Sequence, residues 1–137
     1  MKNELTERLD AATRLKDAGW PQGRSRDVIL LFAEVNGGPR LWNRAHAFES
    51  WPPCVKRLDS PSASECMVYA RERWPVAAIG LNCAGSTDGA SPYRCFFECG
   101  QGIAGWAEHP DSPDIAAQLA LAAAMEAQSF ADEREAV

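Results

Sequence analysis

The chain has 137 residues, 46% of them apolar and 24% charged, with 14 Lys and Arg set against 19 Asp and Glu for a formal net charge of −5. A chain of this length buries roughly two-thirds of its unfolded surface, so it needs neither metal nor disulfide to fold and has no room for a second full domain. No apolar run approaches the ~20 residues that span a bilayer, and the opening Met1-Lys2-Asn3-Glu4 carries charge where a signal peptide is apolar, so a cytoplasmic location is expected. Residues 1–74 hold 12 basic and 10 acidic side chains, whereas residues 75–137 hold 2 basic and 9 acidic. That acidic half argues against nucleic acid as a ligand and suits either a solvated surface or a basic protein partner. An odd count of five cysteines without a pairing pattern fits reduced thiols.

Leu5, Leu9, Ala12 and Leu15 recur at helical spacing and predict an amphipathic helix over 3–18, stopped by Gly19-Trp20-Pro21. Ser25 as a cap, Asp27 in a first turn, and Val28, Leu31, Phe32 and Val35 on one face predict a second helix over 25–35, ended by Gly37-Gly38. The same Val28-Ile29-Leu30-Leu31-Phe32 run would also suit a buried strand. From Pro39 to Ser60 the pattern is irregular, with Trp51-Pro52-Pro53 excluding regular structure nearby, and a long loop with at most one short strand is predicted. Ser62 and Glu65 have capping-box spacing and open a helix that Pro75 stops.

Three strands are predicted next, over 76–83, 93–99 and 103–108. Alternation places Ala77, Ile79, Leu81 and Cys83 on one face of the first. On the second, Tyr93, Cys95, Phe97 and Cys99 lie opposite Arg94, Phe96 and Glu98. Gly100-Gln101-Gly102 is short enough only for a hairpin, which makes the three an antiparallel meander. Ser112-Pro113-Asp114 opens a final Ala-rich helix to about residue 131. The expected fold class is therefore α+β: a three-stranded antiparallel sheet covered by helices on both faces, an α-β-α sandwich. It forms one domain over 1–131, with residues 132–137 a frayed tail.

The sequence offers no catalytic set, no metal site and no cofactor motif. Cys54, Cys66, Cys83, Cys95 and Cys99 are dispersed, and Cys95 and Cys99 lie about 13 Å apart along one strand face, too far for one metal ion or a disulfide. Packing as small hydrophobes is their expected role. Gly37-Gly38-Pro39 lacks the Lys and Ser/Thr of a phosphate loop. Trp20 and Trp74, at helix ends, read as core, and Trp106 reads as packing against the last helix. Trp42 and Trp51 flank the irregular segment together with Arg40, Arg44 and Phe48, the residue types that anchor protein interfaces, and these five form the candidate partner-binding set. Their simpler role is to pin the loop to the domain. The alternative is a small enzyme or ligand-binding protein with a pocket near residues 39–60, for which Cys54, His46 and His109 are the groups to test.

Several stretches together resemble small bacteriophage and prophage proteins that carry the phage α-β-α sandwich domain. Leu5-Thr6-Glu7-Arg8-Leu9-Asp10-Ala11-Ala12-Thr13 is similar to the family's Leu-x-Glu-Arg-Leu-x-x-Ala-Thr opening, and Ser25-Arg26-Asp27-Val28-Ile29 to its second helix. Ser60-Pro61-Ser62-Ala63-Ser64-Glu65 with Trp74 resembles its Ser-rich helix start and the Trp before the sheet. Ser112-Pro113-Asp114-Ile115-Ala116-Ala117 and the Ala-rich run to Ala124 resemble its terminal helix. The resemblance implies an α-β-α sandwich and a phage or prophage setting, and brings no catalytic or binding residues with it. The expectation is a non-enzymatic accessory protein in a bacterial host that binds a host or phage protein, inhibition of a host defence being one form of such binding.

Overall fold

The computed structural model describes residues 4–22, 24–25, 28–33, 40–43, 55–75, 77–83 and 93–135. The chain order is helix α1 (Glu4–Ala18), strands β1 (Val28–Ala33), β2 (Arg40–Asn43) and β3 (Val55–Asp59), helix α2 (Ala63–Arg73), strands β4 (Ala78–Cys83), β5 (Tyr93–Gly100) and β6 (Ile103–His109), and helix α3 (Pro113–Glu135). The fold is α+β, with a three-stranded antiparallel sheet packed against helices, the class the periodicity predicts; the described helices meet that sheet on one face and leave its other face open. Among the described residues, no helix is long and apolar enough to cross a membrane.

Local chemistry sets the helix ends. At the end of α1 the Trp20 amide donates to the Leu15 carbonyl and the Gly19 amide to that of Lys16, both at 3.0 Å, with Gly19 at φ +120°. This left-handed exit turns Trp20 into the core, where it packs against Tyr69 in a tilted arrangement with ring centroids 4.8 Å apart. The capping box of α2 is complete: the Glu65 amide donates to Ser62 Oγ and the Ser62 amide to the Glu65 carboxylate. Ser112 Oγ accepts from the Ile115 amide and opens α3. This last helix continues to Glu135, beyond the expected boundary at residue 131.

The meander pairs β4-β5-β6 in that order. Its hairpin turns on Gln101 and Gly102, at φ +57° and +79°, the sign that matches the right-handed twist of the strands. Register puts Ile79, Phe97 and Gly105 in one row and Leu81, Cys95 and Ala107 in the next. α3 lies along β6 and β5 on that face, and α1 and α2 pack against α3 in turn. Contact this close needs small residues on both sides. A Cβ at Gly105 would come within 2.1 Å of the Ala120 carbonyl oxygen, and Ala116, Ala117, Ala120, Ala122 and Ala124 are fully buried.

Two expectations are corrected here. Residues 28–33 form a strand, not part of a helix over 25–35, and the segment expected as a loop contributes two strands that flank it in the order β2-β1-β3. Ser25 does not cap a helix: its amide donates to the Asp59 carboxylate at 2.8 Å and its hydroxyl to Glu65 at 3.0 Å. Leu58 of β3 packs beneath Ala12 and Leu9 of α1, which ties this second sheet to the helical layer.

The chain between β3 and α2 joins the layers through buried polar groups. Ser60 Oγ accepts from the Arg8 guanidinium at 3.1 Å and from Gln118 Nε2 at 3.0 Å, and the same Gln118 amide nitrogen donates to the Pro61 carbonyl. Asp59 accepts from Trp20 Nε1 and the Ser25 amide. Unpaired buried donors cost about 1–3 kcal/mol each, so these contacts fix how α1 and α3 sit relative to β3.

Candidate functional site

The face of the meander opposite α3 carries the exposed ring of Trp106 beside Phe96. Alternation puts three cross-strand rows there: Ala78, Glu98 and Ala104; Gly80, Phe96 and Trp106; Asn82, Arg94 and Glu108. The Phe96 ring lies over Gly80, where an added Cβ would meet its Cε1 at 2.2 Å. Trp106 stands beside Phe96 with 68% of its surface exposed. Arg94 Nε donates to Glu108 Oε2 at 3.0 Å and frames the aromatic row on one side, while Glu98 frames it on the other. Fully burying one large apolar side chain is worth about 1.5–3 kcal/mol, and at Trp106 most of that burial is not made within the chain.

This placement corrects the expectation that Trp106 packs on the last helix. Gly105 is the residue that faces α3, because a larger side chain there would strike the Ala120 and Ala124 backbone, and its neighbour on the strand must point the other way. The signal available in the sequence was a glycine inside a strand, a mark of close backbone approach, immediately before the tryptophan.

Of the five residues proposed from the sequence, Arg40 and Trp42 lie on β2, where the register sets them opposite Leu31 and Ile29 of β1. Arg44, Phe48 and Trp51 fall outside the described residues, as do His46 and Cys54. Trp20 and Trp74 are buried core, as expected.

Of the three groups offered for catalysis, only His109 falls within the described residues, and it is engaged in holding the fold. His109 is buried between Glu7, whose carboxylate meets Nε2, and the amides of Asp111 and Ser112, which both donate to Nδ1 at 3.1 and 2.9 Å. Two donors on Nδ1 place the ring proton on Nε2, toward Glu7, and both nitrogens have partners. Burial pushes the Cys66 thiol well up from its ordinary range and the Cys95 thiol up to about 12, and it raises Cys99 as well. A nucleophilic cysteine needs the opposite shift. No group of three or more metal-ligating side chains occurs among the described residues.

Two shallow grooves accompany the open face. One runs between Ile103 and the last turns of α3, lined by Ala127, Phe130 and Arg134. The other lies between Met67 and Val68 of α2 and Ile79 of β4. Apolar side chains dominate both, and neither converges polar groups on a point as an active site does. Comparisons with protein-family models, curated proteins and solved structures gave no match.

Proposed function

We propose that this protein is a non-enzymatic accessory protein that binds another protein through the outer face of the β4-β5-β6 meander. The observation that carries the reading is Trp106, held 68% exposed beside Phe96 on a sheet whose other face is packed against α3. An exposed tryptophan beside a second aromatic ring and ringed by charge is the kind of anchor that dominates protein interfaces, where tryptophan and arginine are enriched. With 9 acidic and 2 basic side chains over residues 75–137, the matching surface is an apolar pocket with a basic rim. The phage or prophage setting, a bacterial cytoplasm and inhibition of a host defence protein are proposed on the sequence resemblance, and Arg40, Trp42, Arg44, Phe48 and Trp51 are proposed as a second contact region.

Affinity capture from bacterial lysate at low and high salt, with wild type and Trp106→Ala in parallel, tests the reading. It expects one stoichiometric protein that the substitution releases and that high salt weakens. A protein retained equally by both forms, or none retained by either, overturns it.

A further inference from the structure

The geometry points to a second copy of this chain as the occupant of the β6 edge, joined strand to strand so that two meanders form one six-stranded sheet. β6 lies at the end of the β4-β5-β6 order, and no described residue hydrogen-bonds its outer side. Natural sheets guard such edges with lysine, proline, bulges or covering segments. The sequence of β6, Ile103-Ala104-Gly105-Trp106-Ala107-Glu108-His109, has no Lys, Arg or Pro.

This strand is complementary to itself in one antiparallel register. Trp106 is its central residue, and a two-fold axis there sets Trp106 against its own copy and Ala104 against Glu108 of the second chain, twice by symmetry. On the inner face Gly105 meets Ala107, and Ile103 meets His109. No like charges oppose each other, and Arg94 pairs with Glu108 within the chain. The helix above the edge fits the same partner. α3 follows β6, and its half-buried Leu119, Ala123 and Ala127 form a stripe that leads to Phe130, 61% exposed beside the groove at Ile103. Pairing the strands brings two such stripes together on the inner face and leaves both Trp106 rings on the outer face, where a partner would meet them as a doubled site.

Sedimentation equilibrium of the full chain tests this, with Ala104 as the handle because its side chain is exposed on the outer face. Wild type is expected to dimerise at micromolar concentration. Ala104→Glu sets a new carboxylate against Glu108 of the second chain at two symmetric positions and is expected to weaken dimerisation roughly tenfold. Ala104→Lys reverses the sign and is expected to tighten it severalfold. Residue 104 also pairs with Glu98 within the chain, so the lysine variant keeps the test decisive if the glutamate variant fails to fold. A monomer at every concentration, a dimer indifferent to the sign of charge at 104, or pairing only with a foreign strand overturns the proposal. The test is separate from that of the proposed function: dimerisation without a captured partner, or capture without dimerisation, sinks one reading and leaves the other standing.

Discussion

Gly105→Ala is the sharpest probe of how the meander meets α3. The added Cβ would sit 2.1 Å from the Ala120 carbonyl oxygen, 2.4 Å from the Ala124 amide nitrogen and 3.1 Å from the Ala123 carbonyl carbon. All three are helix backbone atoms that no rotamer change can move, so α3 must lift from the sheet and loosen the packing of Phe97, Leu121 and Met125 beneath and beside it. Overpacking costs typically 1–3 kcal/mol, and rigid obstacles place this one at about 3 kcal/mol or above. Gly80→Ala is the internal control: its Cβ meets only the Phe96 ring, at 2.2 and 2.5 Å, and that ring lies on the open face where it can swing aside. We expect a cost of about 1 kcal/mol or less there. Urea unfolding with an unchanged m-value reads both variants, and the Gly105→Ala midpoint should fall by roughly 10 °C in a thermal scan. Equal costs at the two glycines, or a Gly105→Ala variant within about 0.5 kcal/mol of wild type, would refute the placement of α3 over β6 and with it the outward direction of Trp106.

His109→Ala should destabilise by about 2–4 kcal/mol, because it strands the Asp111 and Ser112 amides and releases Glu7; Glu7→Gln should cost less than about 1 kcal/mol, as the carboxamide can still accept from Nε2. Urea titrations of the two variants check the order. Native Cys66 and Cys95 should resist a thiol reagent at pH 8 and react only on unfolding, which labelling with mass spectrometry reads out. The same shift fixes a pH dependence: a thiol that ionises near 9 when unfolded and near 12 when folded adds stability that is complete below about pH 9 and lost between about 9 and 12. Cys95→Ala should therefore lose less stability than wild type over that window, and parallel melting curves from about pH 8 to 11 decide it.

Features that depend on neighbours in sequence were legible before the fold was known. The Ser62 and Glu65 box, the Gly19 exit, the Gly-Gln-Gly hairpin and the alternation of Tyr93 to Cys99 each rest on contacts within a few residues. The strand β1 was legible only as the second reading, because Val28–Ala33 is apolar throughout and does not separate helix from strand, and its pairing partners lie in segments whose own pattern is poor. Ser25 misled for a related reason. Its capping chemistry is real, but it is satisfied by Asp59 and Glu65, 34 and 40 residues away. Of the aromatic and arginine set expected over residues 40–51, Arg40 and Trp42 lie on β2 and the rest fall outside the described residues; the exposure of Trp106 on β6 was not legible because its direction is set by the fit of Gly105 beneath α3.

On the proposed reading, a partner docks on the Trp106 face. Calorimetric titration of the captured protein, purified, into wild type and Trp106→Ala tests it most directly. A loss of at least about 2 kcal/mol, near thirtyfold in affinity, with unchanged thermal stability of the free variant, is the predicted result. Equal affinities for the two forms would contradict it and return attention to Trp42 and Trp51.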